Sequence, residues 1–263
     1  MPYAITAKIR ENREVIPGFF EMELECREIA EAALPGQFVQ VRCSSGLDPL
    51  LRKPISISLV MPEQGRIRLL YQVRGRGTSL MSRKPVGEAV SLVGPLGSGF
   101  TLPEGPETLL LMGGGIGVAP LLELARSLHD RNCITDVVLG FNREEDVLKE
   151  EEFSRYARRV LITTMDGSCG IQGHSCVPLD TVLDPGQYSR IYACGPEKML
   201  ENVARRASRA GVACQVSLEE YMACGIGVCL GCAREIQGPE GSRYVRVCVE
   251  GPVMDGAEVY PGE

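Results

Sequence analysis

Apolar and polar residues alternate over short stretches in about the first 100 residues, and this period-two pattern predicts β-strands. Turn-forming pairs such as Pro17-Gly18 and Pro35-Gly36 separate the stretches. One helix is expected among them, over residues 78–83. Six short strands at regular spacing indicate a small closed antiparallel barrel. The expected strands cover residues 4–9, 19–26, 38–43, 55–60, 67–73 and 89–93.

The pattern changes after Gly105-Pro106. Short apolar runs now alternate with stretches whose leucines and alanines fall at helical spacing. This order predicts a doubly wound parallel sheet with helices between its strands. The expected strands are 108–112, 137–141, 160–164, 191–193 and 212–218, and the expected helices are 118–129, 147–157 and 197–210.

These patterns predict a β + α/β chain in three parts. Residues 1–103 form the antiparallel barrel domain and residues 104–213 the α/β domain with the parallel sheet. Residues 214–263 form a small C-terminal module, which is too short to hold much core of its own.

Composition narrows the class of protein. A length of 263 residues suits more than one core, and 44% hydrophobic with 24% charged residues is ordinary for a globular protein. A net charge of −6 argues against a nucleic-acid partner. The sequence shows neither an apolar run of membrane-spanning length nor a signal peptide, so a cytoplasmic location without membrane insertion is expected. Eleven cysteines in a reducing compartment favour metal ligation over disulfides.

Four cysteines near the C-terminus carry the strongest chemical signal: Cys224, Cys229, Cys232 and Cys248. Their spacing, C-x4-C-x2-C followed by x15-C, is the ligand pattern of a plant-type [2Fe–2S] cluster. Gly225, Gly227 and Gly231 lie between or beside them and allow the tight loop that such a cluster needs. Two alternatives are small buried apolar residues and structural zinc. Three cysteines among glycines are a poor core pattern, and zinc ribbons usually contain a second C-x2-C pair.

A glycine-rich segment, Gly113-Gly114-Gly115-Ile116-Gly117, lies between a predicted strand and a predicted helix. Small residues at a helix N-terminus let a pyrophosphate approach backbone N–H groups. The segment lacks the full dinucleotide fingerprint, and a plain tight turn is the alternative. Its strand–turn–helix setting favours a nucleotide.

Two barrel segments suit a flavin when taken together. Residues 51–57 place two cations and a serine at a strand start, which fits phosphates and a ring edge. Residues 70–73 and 75–79 pair an aromatic-bearing strand with a Gly-Thr helix start. Taken singly, each segment is equally well an exposed strand end or a turn.

In this order the motifs resemble the ferredoxin–NADP reductase superfamily and, within it, the electron transfer subunits of class 1B dihydroorotate dehydrogenases. The resemblance covers the whole chain. The residues that carry it are 52–56, Gly77-Thr78, 94–97, the glycines 113–115, Cys194-Gly195-Pro196, 219–229 and 247–253.

The resemblance implies three cofactors, FAD, a [2Fe–2S] cluster and NAD, and no catalytic side chain, since the cofactors supply the chemistry. The four cysteines named above would be the iron ligands. FAD would contact Arg52, Lys53, Pro54, Ile55, Ser56, Leu70, Tyr71, Gln72, Gly77 and Thr78. NAD would lie against Gly113, Gly114, Gly115, Gly117, Cys194, Gly195 and Pro196.

Two positions separate this chain from its relatives. The superfamily has arginine three residues before the flavin-contacting serine, and here Lys53 keeps the charge without the bidentate fork. Related sulfide dehydrogenase and transhydrogenase subunits tend to replace the first cluster cysteine with aspartate. Cys224 therefore favours the dihydroorotate branch.

Other polar residues are given ordinary roles. Asp166, in the sequence Met165-Asp166-Gly167-Ser168, follows a predicted strand and is read as a turn residue or a ligand contact. His129 and His174 are expected at the surface.

The expected function is electron relay between NAD+ and a partner. The resemblance names the partner as an FMN-containing dihydroorotate dehydrogenase catalytic subunit, in a heterotetramer of two copies of each chain, within pyrimidine biosynthesis. The alternative within enzymes is an NAD(P)H-dependent subunit of a sulfide dehydrogenase, hydrogenase or transhydrogenase-type complex. Outside enzymes, a redox-sensing module that binds nucleotide without turnover is the alternative.

Overall fold

A computed structural model describes residues 2–238 and 241–262. Its N-terminal part is a closed antiparallel barrel with strand order β1-β2-β5-β4-β3-β6. Alternate strand residues fill the barrel, among them Ile9, Val39 and Leu69, none of which has any exposed area. The predicted barrel is confirmed. The strands are β1 (Tyr3–Ile16), β2 (Phe19–Glu25), β3 (Phe38–Val41), β4 (Lys53–Met61), β5 (Arg66–Gln72) and β6 (Ala89–Leu96).

Two short helices attach to the barrel. The predicted helix near residue 78 is α2 (Arg76–Ser82). The other, α1 (Arg27–Ala32), was not predicted, because its six residues are too few for a helical period to show.

The second part of the chain is a sheet with strand order β10-β9-β8-β7-β11-β12-β15. All neighbours are parallel except β15, which pairs antiparallel with β12 at one edge. The chain starts at β7, proceeds outward to β10, and then crosses to the other side with β11 and β12. The doubly wound sheet is therefore confirmed. Its strands are β7 (Thr108–Gly114), β8 (Ile134–Phe141), β9 (Arg159–Thr164), β10 (Ile171–Gln172), β11 (Arg190–Cys194), β12 (Ala213–Ser217) and β15 (Val253–Asp255).

The helices of this part are α3 (Ala119–His129), α4 (Glu150–Ser154), α5 (Val177–Thr181) and α6 (Glu197–Arg209). The prediction of a helix over 147–157 was too long. Val147 is extended, with ψ 123°, and Lys149 takes a left-handed conformation with φ 66°. A helix cannot pass through either conformation, so α4 starts only at Glu150.

The C-terminal segment does not pack alone. It contributes a hairpin of β13 (Ala233–Gly238) and β14 (Gly241–Arg246), the edge strand β15 and the helix α7 (Gly256–Val259). Its buried residues Ile236 and Val247 share one apolar cluster with Leu110 of the sheet and Phe38 of the barrel. The boundary at 213/214 lies within β12, and the three-domain division stays a prediction.

Buried polar contacts fix the barrel against the sheet domain. The Glu123 carboxylate of α3 accepts hydrogen bonds from the Val60 N–H at 2.8 Å and from Arg126 at 2.7 Å. Arg68 of β5 pairs with Glu152 of α4 at 3.0 Å. Lys149 pairs with the buried Glu21 of β2. These contacts hold the barrel against the sheet domain. Over the described residues, no helix is long and apolar enough to cross a bilayer.

We expect Asp136→Asn to destabilise the sheet domain by about 2 kcal/mol, because it weakens a buried charge-assisted network. Asp136 of β8 is fully buried and accepts hydrogen bonds from Arg158 at 2.7 Å, Tyr188 at 2.6 Å and Arg159 at 2.9 Å. Burial raises the pKa of Asp136, but these donors outweigh it and hold the pKa below its ordinary value of 3.8.

Stability from a lowered pKa is present above the unfolded pKa and is lost as pH falls through the folded one. Urea unfolding should therefore show the full difference between wild type and Asp136→Asn near neutral pH, and a shrinking difference below about pH 4. The exposed Asp130 supplies the control Asp130→Asn. Equal stability of wild type and Asp136→Asn at pH 7 would contradict this role for the carboxylate.

Candidate functional site

A cleft of about 230 Å³ opens where the barrel meets the sheet. The barrel wall contains Pro54, Ile55 and Ser56 of β4 with Leu70, Tyr71 and Gln72 of β5. These are six of the ten residues assigned to the flavin from the sequence. The opposite wall contains Gly117 and Cys194, from the segments assigned to the nucleotide.

Side-chain direction decides what two of these residues offer. The Tyr71 hydroxyl donates a hydrogen bond to Asn12 Oδ1 at 3.0 Å, and its ring stacks on Phe20. The ring therefore belongs to the barrel core. Gln72 Oε1 accepts a hydrogen bond from Arg74 Nε at 2.5 Å, and both residues line this cleft and the next one. Arg74 was missed by the sequence analysis.

The remaining flavin candidates, Arg52, Lys53, Gly77 and Thr78, lie outside this cleft. The Arg52 guanidinium donates to the Ser91 carbonyl at 2.7 Å and to Ser91 Oγ at 2.9 Å. Gly77 of α2 packs against Lys53, since a Cβ on Gly77 would lie 2.9 Å from Lys53 Cε. Two Arg52 N–H groups are bonded to Ser91, which leaves Lys53 as the cation that lies beside Gly77-Thr78 at the start of α2.

A second cleft, of about 650 Å³, lies at the carboxyl ends of the parallel strands. It contains Gly114 at the end of β7, Gly115 and Gly117 just after that strand, and Gly195 with Pro196 after β11. β7 and β11 are parallel neighbours, but the chain adds later strands on one side of β7 and then, from β11, on the other. Doubly wound sheets bind ligands at this switch point in the strand order. Gly113 lies behind the cleft, where a Cβ would be 2.9 Å from Val118 Cγ1.

The glycine segment and the end of β11 touch through their backbones. A Cβ on Gly117 would lie 2.5 Å from the Cys194 carbonyl oxygen and 2.7 Å from Gly195 Cα. Burial raises the pKa of the Cys194 thiol to about 12, so this thiol stays neutral. Cys194 therefore has a packing role in the cleft.

The second cleft is also lined by residues that sequence reasoning did not assign to it, namely Asn142, Asp146, Met165, His174, Ser175 and Met199. Asp166 is outside, and its carboxylate accepts hydrogen bonds from the Ser168 N–H at 3.0 Å and hydroxyl at 2.6 Å, as a turn residue does. His129 and His174 are both exposed. The carboxyl-end position of Asn142, just after β8, is the signal that would have found it.

The four cysteines lie in two pairs. The Cys229 N–H donates a hydrogen bond to Cys224 Sγ, and the Cys248 N–H donates one to Cys232 Sγ, so each pair lies in direct contact. Over residues 2–238 and 241–262, no three His, Cys, Asp or Glu side chains surround a single metal site. A two-by-two arrangement fits a cluster with two irons, each of which takes two thiolates, better than one tetrahedral zinc.

Backbone N–H groups already point at these sulfurs. Cys224 Sγ accepts from the Ile226 N–H at 3.5 Å and the Cys229 N–H at 3.4 Å, and Cys232 Sγ accepts from the Cys248 N–H at 3.4 Å. Slight burial opposes ionisation of Cys224, but the N–H donors lower its pKa to about 6. Burial and the neighbouring Cys232 sulfur raise the pKa of Cys248. The backbone of the loop thus favours the thiolate form of Cys224.

The cysteine loop adjoins the first cleft. Glu220 and Met222, just before Cys224, line that cleft, as does Pro252, four residues after Cys248. Ser98, after β6, ties this segment to the barrel through a hydrogen bond from its N–H to the Gly251 carbonyl at 2.6 Å. The second cleft, the first cleft and the cysteine loop therefore adjoin one another in that order.

Comparisons with known proteins agree with this geometry. Residues 219–260 match the family model described as the iron-sulfur cluster binding domain of dihydroorotate dehydrogenase B. A protein of Desulforamulus reducens, named dihydroorotate dehydrogenase B (NAD(+)), electron transfer subunit, is 38% identical over 98% of this chain and 99% of its own. A protein of Bacillus caldolyticus with the same name is 38% identical over 95% of this chain and 96% of its own.

Solved structures show the same fold. An NADH-dependent reduced ferredoxin-NADP oxidoreductase, studied for flavin-based electron bifurcation, superposes with a TM-score of 0.83 at 28% identity, over 96% of this chain and 89% of its own. A ferredoxin NADP+ reductase from Neisseria gonorrhoeae with bound FAD and NADP gives a TM-score of 0.64 at 17% identity, over 79% of this chain and 92% of its own.

Proposed function

The chain belongs to the family of electron transfer subunits of NAD+-dependent dihydroorotate dehydrogenase B, and on that premise we propose which of its residues hold each cofactor. It transfers electrons between the catalytic subunit of that enzyme and NAD+, and its cofactors are FAD, a [2Fe–2S] cluster and NAD. FAD, when bound, supplies the conversion between hydride and single-electron transfer. The observation that supports the assignment best is the continuity of the two clefts with the cysteine loop.

FAD is assigned to the first cleft and the barrel surface beyond it. Pro54 to Ser56 and Leu70 to Gln72 would hold its ring system with backbone groups and the Ser56 hydroxyl. Lys53, Gly77 and Thr78 would hold its phosphates, with Arg52 kept on Ser91 as a support. Lys53 supplies a point charge here, where the superfamily pattern has an arginine with a bidentate fork.

NAD is assigned to the second cleft. Gly114, Gly115 and Gly117 leave the backbone open to a pyrophosphate, and Gly195 with Pro196 form the facing wall. Gly113 and Cys194 would act behind this surface by close packing. Because Gly117 lines both clefts, the nicotinamide end is placed toward the first one.

The iron ligands are assigned in pairs, Cys224 with Cys229 on one iron and Cys232 with Cys248 on the other. Cys229 is exposed whereas Cys232 and Cys248 are buried. One side of the cluster would therefore face the protein surface and the other side the interior. The backbone N–H groups that point at Cys224 and Cys232 would compensate thiolate charge.

The exposed rim of the cysteine loop is assigned to the catalytic subunit. Tyr221 is 94% exposed, Val228 76% and Leu230 62%, and exposed apolar side chains grouped in this way are typical of a protein–protein contact. The partner is proposed to carry FMN, in a heterotetramer of two copies of each subunit in the cytoplasm, serving pyrimidine synthesis. The curated relatives favour dihydroorotate over the sulfide, hydrogenase and transhydrogenase alternatives.

Co-expression with the catalytic subunit tests the function. We expect a yellow-brown complex that contains iron, acid-labile sulfide and FAD, is bleached by NADH, and reduces NAD+ with dihydroorotate. A colourless chain without iron, or a loaded complex inert to dihydroorotate, would overturn the proposal.

Val228→Asp should weaken binding of the catalytic subunit by about tenfold or more, because a buried carboxylate at an apolar interface is poorly solvated. Size-exclusion chromatography and calorimetric titration measure the loss. Val182→Asp, at a 53% exposed position after α5, is the matched control and should bind normally. Unchanged affinity of the Val228 variant would place the partner on another face.

A further inference from the structure

A buried amide lies between the first cleft and the cysteine loop. Gln40 of β3 has no exposed area, and neither its Nε2 nor its Oε1 has a hydrogen-bond partner among the described residues. A buried unpaired polar group costs about 1–3 kcal/mol, so native proteins rarely leave both ends of an amide unpaired. The position therefore indicates a partner group that the polypeptide itself does not supply.

The alternation of β3 fixes the direction of this side chain. Val39 and Val41 fill the barrel interior, so Phe38 and Gln40 point outward. Phe38 lines the first cleft. Gln40 is two residues on, about 7 Å along the strand.

Gln40 contacts the cysteine loop beside its first ligand. A Cβ on Gly225 would lie 2.5 Å from Gln40 Nε2 and 2.7 Å from its Cγ. Gly225 has φ +69°, which turns the chain directly after Cys224. Only glycine leaves space for the amide in this left-handed position.

We propose that the Gln40 side-chain N–H donates a hydrogen bond to a sulfur of the iron–sulfur cluster and thereby raises the reduction potential of the cluster. The inference rests on the proposed cluster site. Reduction adds one electron to the cluster, so the sulfurs carry more negative charge and the hydrogen bond strengthens. Gln40 acts as a tuning residue and takes no part in ligation.

The test replaces Gln40 by methionine, which keeps length and volume but has no N–H donor. A redox titration followed by electron paramagnetic resonance should show the cluster about tenfold harder to reduce, which is about 59 mV for one electron. The FAD potential should stay unchanged. The matched control is Ser58→Ala, which also removes a fully buried unpartnered polar group from the barrel. It should leave the cluster potential unaltered.

The outcomes separate the two proposals. Wild-type protein without iron overturns the cluster assignment itself. A wild-type and a Gln40→Met protein with intact clusters of equal potential overturn only the role of Gln40. Where Gln40→Met fails to hold a cluster, wild-type protein with ¹⁵N-labelled glutamine side chains decides, because a ¹⁵N coupling to the reduced cluster supports the hydrogen bond and its absence overturns it.

Discussion

Cys229→Ser is expected to abolish electron transfer to the catalytic subunit while NADH still reduces FAD. Cys229 is the exposed member of the outer thiol pair, and Cys224 Sγ accepts a hydrogen bond from its N–H at 3.4 Å. A serine hydroxyl is a poor iron ligand because it is seldom ionised, so one iron loses half of its protein ligands. The rate of dihydroorotate-dependent NAD+ reduction should fall by about 100-fold or more.

Three measurements check this variant together. Iron content and the visible spectrum report the cluster, stopped-flow bleaching by NADH reports FAD, and the coupled assay reports relay. Cys169→Ser supplies the control, as Cys169 is a partly exposed cysteine outside the loop. Full relay activity in a Cys229→Ser protein without a cluster would show that electrons take another route.

The cluster ligands could be predicted from the sequence because their chemistry depends on local spacing. Three of the four lie within nine residues, and a cluster of this size admits few loop lengths. The barrel and the sheet were predictable for a similar reason, since each strand carries its own pattern of buried positions. The glycines after β7 were recognisable from their place between a strand and a helix.

Residues that act through tertiary contact could not be predicted. Gln40 and Phe38 lie in an ordinary barrel strand, and nothing local shows that they face the flavin cleft and the cysteine loop. The return of β15 to the edge of the sheet depends on pairing of Met254 with Val216, 38 residues earlier in the chain. Arg74 and Glu219 reach the clefts only because the barrel docks on the sheet.

The direction of single side chains was also not predicted from the sequence. The resemblance places Tyr71 in contact with the flavin but does not say which way its side chain points. The residue is 1% exposed, and its hydroxyl donates a hydrogen bond to Asn12 inside the barrel. The same strand period that predicted β5 places Leu69 and Tyr71 in one core cluster. Because side chains alternate along a strand, the position of Leu69 in the core would have placed the Tyr71 ring in the core as well.

Gly117→Ala is expected to slow reduction of FAD by NADH by about 100-fold while leaving FAD and the cluster in place. The new methyl group would lie 2.5 Å from the Cys194 carbonyl oxygen and 2.6 Å from its carbon. Both atoms are backbone of a central parallel strand, so neither yields without moving β11. The glycine segment must shift outward instead, and a displacement of about 1 Å between reacting groups is enough for such a loss.

Gly105→Ala is the matched control, because a Cβ on Gly105 meets nothing within 4 Å and its backbone is outside the left-handed region. Stopped-flow reduction by NADH at flavin wavelengths measures the effect, and dithionite confirms that FAD and cluster still accept electrons in the variant. Urea unfolding should show a loss of about 1–3 kcal/mol from overpacking. Wild-type NADH reduction in Gly117→Ala would mean that the nucleotide does not use this glycine segment. A slow reaction with FAD and the cluster both bound would locate the defect at the contact between the glycine segment and the end of β11.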